Sequence, residues 1–257
     1  MHHNMWYIYM QSRNSFGISC LWKGERKVHI HGFQKMTLLD FPGRVACTVF
    51  TGGCNLRCPF CHNALLVTKL TDTDIIPTES VFSYLEKRKG VLDGVAITGG
   101  EPLLQPDIAS FIRKIKSMGY AVKLDTNGAY PAKLRDLVEE GIVDYVAMDV
   151  KNCKEKYGET VGIPNFDVSK IDESVKFLMS GKVDFEFRTT VVKEFHTVED
   201  IEKLSEWIKG TPKYYLQNFT DSGNLIGENL HECGRETLEQ MKETASKNVI
   251  LCETRGV

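Results

Sequence analysis

The segment GVAITGGEPLLQPDIASFIRKIKSMGYAVKLDT, residues 94–126, holds one complete strand–helix–strand unit. Its near-continuous apolar runs at 94–99 and 121–126 predict strands that are buried on both faces, as in a parallel sheet. Residues 106–119 place four large apolar side chains on one stripe, with proline at the start and glycine at the end, which predicts an amphipathic helix. Two strands that are joined through a helix in this way are expected to run parallel.

The same alternation recurs along most of the chain. Further strands are predicted at 45–50, 145–150, 184–192, 214–219 and 248–253, and further helices at 78–90, 131–141, 169–180, 197–209 and 235–246. Residues 31–43 are predicted to add a strand or hairpin before the first unit. About six β–α units predict an α/β fold, which forms a partial or complete barrel or a doubly wound open sheet.

Composition excludes several classes of protein. The 257 residues carry a formal net charge of −2, so no basic field is available for nucleic acid or an anionic membrane. No apolar run reaches the roughly 18 residues of a transmembrane helix, and we expect no membrane partner. The eight cysteines do not suit a short, disulfide-rich secreted domain, which favours a reducing, cytoplasmic setting. Residues 1–30 lack periodicity and predict a poorly structured extension, followed by one domain at 31–257.

The loop after the strand at 45–50 carries the motif CNLRCPFCHN, residues 54–63. Three cysteines at C-x3-C-x2-C spacing can wrap one metal centre, and thiolates favour zinc or iron–sulfur clusters. Structural zinc needs four ligands, usually as two separated pairs, and no fourth ligand stands at a suitable spacing here. A four-iron cluster on three cysteines leaves one iron open for a substrate or cofactor. Iron–sulfur is therefore the favoured interpretation, and zinc is the alternative.

Polar residues and glycines follow several of the other predicted strands. GGEP (99–102) and DTNG (125–128) each follow one strand, and single polar residues occur at or near the ends of later ones. The carboxyl ends of parallel strands meet at one edge, where α/β proteins place their sites. Simpler interpretations stay open. DTNG can form a turn, and Asp149 and Lys151 can form a local ion pair. Arg188 can pair with Glu186 or with another acid.

The run CNLRCPFC resembles the signature of the radical S-adenosylmethionine (SAM) superfamily. The resemblance implies a 4Fe-4S cluster on Cys54, Cys58 and Cys61 as the catalytic and metal-binding residues, with the open iron chelating SAM. It implies reductive cleavage of SAM to a 5′-deoxyadenosyl radical, with Phe60 beside the adenine. The implied fold is a partial (β/α)6 TIM-like barrel of the radical SAM type, with a core at about 45–220 and a C-terminal β/α addition at 221–257.

Longer runs resemble the activating enzymes of glycyl radical enzymes, namely CHN, LDTNG, MDVK and RTTVV. Residues 32–43 and 87–107 look most like activating proteins of anaerobic ribonucleoside-triphosphate reductase. The resemblance implies an oxidoreductase (EC 1.97.1.- type) that forms a glycyl radical on that reductase. It also implies a flavodoxin or ferredoxin-type electron donor.

The resemblance also assigns the contacts to SAM. Gly99, Gly100 and Glu101 would meet the methionine amino group, because glycine admits a close ligand and a carboxylate suits an ammonium. Further cofactor contacts are implied at Asp125, Thr126, Asn127, Asp149, Lys151, Arg188 and Gln217. A monovalent cation is implied between the two aspartates, and the arginine would reach the ribose or carboxylate end of SAM. Some activases carry a histidine just after the sixth strand, where this chain has LQNFTDSG.

Two other functions remain as alternatives. The first is a radical SAM enzyme that acts on a small molecule, similar to 7-carboxy-7-deazaguanine synthase. The second is a non-catalytic iron–sulfur or zinc protein that binds a partner or senses redox state. A purely metal-binding module would not cleave SAM, so cleavage of SAM separates the second alternative from the enzymes.

Overall fold

The computed structural model describes residues 28–71 and 74–256, and its centre is one eight-stranded sheet. The strands are β1 (Ile30–Thr37), β2 (Ala46–Thr51), β3 (Gly94–Gly99), β4 (Ala121–Thr126), β5 (Tyr145–Asp149), β6 (Asp184–Val191), β7 (Tyr214–Asn218) and β8 (Cys252–Arg255). The helices are α1 (Leu65–Thr68), α2 (Thr78–Lys87), α3 (Ile108–Ser117), α4 (Pro131–Glu139), α5 (Tyr157–Thr160), α6 (Ser169–Met179), α7 (Val198–Trp207) and α8 (Arg235–Ala245).

The strands lie side by side in the order of the chain. Strands β2 to β8 are parallel, and β1 pairs antiparallel with β2. Within the described residues β1 and β8 form the two edges, so the sheet does not close. The predicted α/β fold with a partial TIM-like barrel is confirmed. A closed barrel and a doubly wound sheet, in which the strand order reverses, are excluded.

The two faces of the sheet differ in chemistry. In β4, Val122 and Leu124 are fully buried in the main apolar core, whereas Lys123 and Asp125 alternate with them and lie on the opposite face. This second face, which carries Lys123 and Asp125, is called the inner face below. It is also shielded from water, because Lys123 is only 2% exposed. The strands are therefore buried on both faces as predicted, but the inner face carries paired charges.

The elements predicted from periodicity are found close to their expected positions. Six predicted strands agree with β2 to β7 to within about one residue at each end, and six predicted helices appear with slightly shorter ends. The prediction for 248–253 is wrong at its start, because the last strand begins at Cys252. Ile250 instead donates its N–H to Thr211 O in the connection before β7, and its side chain is 77% exposed. An apolar run alone therefore misplaced this strand.

The remaining predictions about the ends of the chain are tested only in part. Residues 1–27 lie outside the described residues, and so does most of the predicted N-terminal extension. Val28 and Ile30, at its end, are already buried. In the part of the chain that the structure describes, no helix is both long enough and apolar enough to cross a membrane.

Candidate active site

The parallel strands bring the predicted site residues to one edge of the sheet. The cysteine motif follows β2, and three further segments begin at the end of a strand and continue beyond it: 99–101 at β3, 125–127 at β4 and 149–151 at β5. The carboxyl ends of adjacent parallel strands share an edge, so these four segments surround one mouth of the barrel. Arg188 on β6 reaches the same group of residues through its contacts with Asp125 and Asp149.

The cysteine loop, residues 52–63, is held in place by two other loops. Arg57 donates its backbone N–H to Val161 O at 3.0 Å, just after α5. Gly227 donates its backbone N–H to Pro59 O at 2.8 Å, and a Cβ on Gly227 would lie only 2.7 Å from the Pro59 Cβ. The segment around Gly227 carries no recognisable motif, so its contact with the cysteine loop is visible only in the structure.

The end of the cysteine loop is tied to neighbouring strands. Asn63 Nδ2 donates to Gly99 O at 3.0 Å, which connects the loop to β3. His62 Nε2 lies 2.9 Å from Thr220 O, and its ring stacks on Phe219 with 5.6 Å between centroids. These contacts give His62 and Asn63 a role in shaping the loop after the cysteines.

Of the three thiols, Cys58 is buried and Cys54 and Cys61 are partly buried. Burial raises the pKa of the Cys54 thiol to about 11 and that of Cys58 to about 12, and it also raises the pKa of Cys61. The positive charge of Lys151 partly opposes this rise at all three sulfurs. The free thiols are therefore protonated at neutral pH. Binding of a metal centre would release their protons, because thiolate is the ligand form.

The donor set fits an iron–sulfur cluster better than a single zinc ion. Cys54, Cys58 and Cys61 are three thiol donors on one loop. Structural zinc takes four ligands, whereas a four-iron cluster on three cysteines leaves one iron open. The other described cysteines are buried free thiols outside this loop, namely Cys47, Cys153, Cys233 and Cys252, and Cys20 lies outside the described residues. Cys54, Cys58 and Cys61 would therefore hold the cluster, with one iron left without a cysteine.

Two glycines allow the end of β3 to approach the cysteine loop. Gly100 donates its N–H to Thr51 O and Glu101 donates its N–H to Gly53 O, both at 2.8 Å. A Cβ on Gly100 would overlap the Gly53 carbonyl oxygen, and Gly99 has a φ of +115°, which side chains rarely tolerate. These glycines thus support the position of the cysteine loop. Their contact with the methionine amino group stays a prediction.

The Glu101 carboxylate lies inside the protein. Its Oε1 accepts from Leu103 N–H at 2.9 Å and from the Thr126 hydroxyl at 2.8 Å, and its Oε2 accepts from Asn127 N–H at 2.7 Å. The side chain is 0% exposed, and burial raises its pKa to about 7 although these donors oppose the rise. Glu101 therefore connects the ends of β3 and β4, and its role toward an amino group stays a prediction.

Arg188 bridges the two aspartates of the site. Its Nε donates to Asp149 Oδ1 at 2.9 Å, and its Nη1 donates to Asp125 Oδ2 at 3.1 Å. Lys151 pairs with Asp149 at 2.9 Å, and Lys123 pairs with Asp125. Burial by itself would raise the pKa of each carboxyl, but Arg188 and the lysine paired with that carboxyl together outweigh it and lower the pKa, to about 2 for Asp149. Both aspartates are therefore ionised at neutral pH.

This network does not fit the monovalent cation implied between Asp125 and Asp149. The two carboxylates already pair with the three cationic side chains of Arg188, Lys151 and Lys123. No negative charge is left over to bind a further cation. Lys123 was not predicted as a site residue, although a lysine within an apolar strand is an unusual signal.

The pairing of Arg188 with Glu186, kept open as an alternative, is not observed. Glu186 is 1% exposed and accepts from Tyr145 Oη at 2.9 Å and from Arg255 Nη1 at 3.0 Å. A second charged cluster therefore lies on the inner face of the sheet, and it includes Arg255 from the last strand. Neither Glu186 nor Arg255 carries a local sequence signal for this contact.

The remaining predicted residues lie around the cysteine loop. Phe60 is buried against the rings of Phe195 and His196, with centroids 5.7 and 6.3 Å away. Asn127 is 6% exposed, and its side-chain amide donates toward the Cys54 sulfur at 3.7 Å. Gln217 is partly buried on β7, opposite Arg255 of β8 in the strand register. Contacts of these side chains with SAM stay predictions.

Comparison with known proteins shows what the chain is similar to. The chain is 32% identical over 197 residues to a Methanocaldococcus jannaschii protein provisionally named glycyl-radical enzyme activating enzyme, covering 75% of this chain and 80% of that one. It is 28% identical over 209 residues to the pyruvate formate-lyase-activating enzyme of Clostridium pasteurianum, covering 74% of this chain and 86% of that one.

A solved structure shares the fold. Streptococcus suis SuiB bound to S-adenosylmethionine superposes with a TM-score of 0.62 at 15% identity, over 79% of this chain and 48% of that chain. The sequence model of the radical SAM superfamily matches residues 48–208, which is more than half of the chain and includes the cysteine motif. The protein therefore belongs to the radical SAM superfamily.

Proposed function

We propose that this protein forms a glycyl radical on a partner enzyme, the anaerobic ribonucleoside-triphosphate reductase. The observation that carries the proposal is the set of three cysteines on one loop, with Cys58 buried and Cys54 and Cys61 partly buried, next to the charged network of Asp125, Arg188 and Asp149. Two similar proteins are named for the activation of glycyl radical enzymes or of pyruvate formate-lyase. The resemblance of residues 32–43 and 87–107 favours the reductase among such partners.

When bound, the cluster would supply one electron to cleave SAM into methionine and a 5′-deoxyadenosyl radical, which takes a hydrogen atom from a glycine of the partner. The protein contributes three thiolate ligands and a mouth partly shielded from water. The charged network has one more positive than negative side chain, which suits the methionine carboxylate. Transfer of a hydrogen atom needs no general base.

The electron would come from a flavodoxin or ferredoxin-type donor. The cysteine loop lies at the barrel mouth, where Arg57 and His62 are exposed, so a small redox protein can approach the cluster without entering the barrel. A cytoplasmic location, in which thiols remain reduced, belongs to the same proposal.

Anaerobic electron paramagnetic resonance (EPR) tests the proposal. The protein is reconstituted with iron and sulfide, reduced, and mixed with SAM and the reductase of the same organism, and 5′-deoxyadenosine is assayed in the same tube. We expect a glycyl doublet that Cys58→Ala abolishes. Cys252→Ala is the matched control, because Cys252 is also 7% exposed but lies in β8, and it should retain the doublet.

Each other outcome contradicts a defined part of the proposal. Cleavage of SAM without a doublet on the reductase rejects this partner, and a doublet on pyruvate formate-lyase in a parallel tube identifies another glycyl radical enzyme. Cleavage without a doublet on either enzyme favours a small-molecule substrate. If a cluster-loaded protein does not cleave SAM, the enzymatic proposal is wrong and a non-catalytic iron–sulfur protein remains.

A further inference from the structure

We infer that the side chain of Asn127 raises the reduction potential of the cluster by donating an N–H···S hydrogen bond to Cys54. The inference rests on the proposed cluster and adds a residue that controls its electron affinity. Asn127 follows β4 and is 73 positions away from Cys54 in the sequence. It is therefore a positioning residue that acts through a cluster ligand.

The orientation of the Asn127 side chain is determined by its neighbours. Its Oδ1 accepts from the backbone N–H of Ala129 at 3.0 Å, in an Asx-turn. Its Nδ2 donates to Asn55 Oδ1 at 2.9 Å and toward Cys54 Sγ at 3.7 Å. The carbonyl oxygen must face the Ala129 N–H, so the amide group must face the cysteine loop. A flipped amide would lose these contacts with Ala129 and Asn55.

The contact lies in a protected position. Asn127 is 6% exposed, and its backbone N–H donates to the buried Glu101 carboxylate at 2.7 Å, which holds the residue from the opposite side. The backbone N–H of Leu56 also points to Cys54 Sγ, at 3.4 Å, but it belongs to the cysteine loop itself. Within the described residues, Asn127 supplies the side-chain hydrogen bond to a cluster cysteine. Replacing it leaves every residue of the cysteine loop in the sequence but also removes the bond to Asn55 of that loop, so a control at Asn55 is needed.

The expected direction follows from charge. A hydrogen bond to a thiolate sulfur stabilises negative charge there, and the reduced cluster carries one more electron than the oxidised one. The bond therefore favours the reduced form and raises the potential. Burial strengthens the effect, because water does not screen the amide dipole. Asn127 would thus make it easier for the donor protein to reduce the cluster.

The test is a redox titration of reconstituted protein, followed by EPR of the reduced cluster. Asn127→Ala removes the donor and should lower the ratio of reduced to oxidised cluster about tenfold at a fixed potential, a shift of about 59 mV for one electron. Asn127→Asp keeps the shape and the bond to Ala129 but replaces the donor by a carboxylate, so it should lower the potential at least as far. Asn55→Ala is the control, because it removes the other acceptor of this amide and leaves the Cys54 contact.

The outcomes separate electronic control from simple bracing of the loop. Equal shifts in Asn55→Ala and Asn127→Ala, or an unchanged potential in Asn127→Asp, overturn the inference. If the wild-type protein takes up no iron and sulfide, the proposed cluster itself is wrong.

If neither Asn127 variant retains a cluster, wild-type protein labelled with ¹⁵N in its asparagine side chains decides the question. Pulsed EPR of the reduced cluster should then detect one coupled side-chain nitrogen. Absence of that coupling also overturns the inference.

Discussion

Arg188 provides the strongest test of the charged network, because one side chain joins two buried carboxylates. Arg188→Met removes the guanidinium but keeps much of the apolar stem. Two charge-assisted hydrogen bonds are lost, at 2.9 Å to Asp149 and 3.1 Å to Asp125, and such bonds contribute about 1.5–3 kcal/mol each. Each aspartate keeps one lysine partner, so the expected loss lies near the lower end of the sum. We expect the free energy of unfolding to fall by about 3 kcal/mol.

The assay is urea unfolding of the cluster-free protein, with chelator and reductant present, so that neither iron nor SAM contributes to stability. Arg135→Met is the matched control, because Arg135 pairs with Glu173 at 2.8 Å on the surface, where the two side chains are 42% and 49% exposed. An exposed pair contributes about 0–1 kcal/mol, so this variant should stay close to the wild type. A double-mutant cycle of Arg188→Met with Asp149→Asn should show a coupling of at least about 1 kcal/mol.

The reasoning is refuted if Arg188→Met and Arg135→Met lower the free energy of unfolding equally. It is also refuted if the double-mutant cycle shows no coupling. Equal falls would mean that the buried bridge costs as much in desolvation as it returns in charge pairing, and zero coupling would mean that Arg188 and Asp149 do not stabilise each other.

Two further predictions concern Glu101 and Gly227. Burial raises the pKa of Glu101 from 4.5 to about 7 in the folded protein. Between pH 4.5 and 7 the folded protein therefore keeps a proton that the unfolded chain releases. The free energy of unfolding should fall by about 3 kcal/mol as the pH rises through this range. Urea unfolding at several pH values should show this slope in the wild type and not in Glu101→Gln, and parallel curves would contradict it. Gly227→Ala should push Pro59 away and accelerate loss of the cluster in air, measured by its visible absorbance. Gly234→Ala, with no atom within 4 Å of the added Cβ, is the control, and equal rates would exclude a bracing role.

The local pattern of apolar residues was sufficient to predict most strands and helices of the fold. The strand–helix unit at residues 94–126 is found as β3, α3 and β4, and α3 buries the predicted apolar stripe. Such elements are predictable because the periodicity of apolar residues directly reflects which face is buried. The prediction failed for the last strand, where the apolar Ile250 is exposed and pairing starts only at Cys252.

The partners of polar side chains were not predictable in the same way. Charged residues of the inner face lie on different strands. The sequence does not indicate which of them form ion pairs across neighbouring strands. Local spacing permits Arg188 to pair with Glu186, two positions away on the same strand, whereas the structure pairs it with Asp125 and Asp149 on β4 and β5. The contact of Gly227 with Pro59 was equally hidden, because 168 residues separate them and neither has a local signature.

The sequence by itself determined the α/β class, the position of most strands and the grouping of three cysteines. It determined that grouping because Cys54, Cys58 and Cys61 fall within eight residues of one loop, so no long-range folding is needed to bring them close together. Only the tertiary structure decided how that loop is surrounded: which charges balance Asp125 and Asp149, and that the Asn127 amide faces Cys54. The physical reason is that strand register and crossover geometry bring together groups that are far apart in the chain, and periodicity carries no information about that pairing.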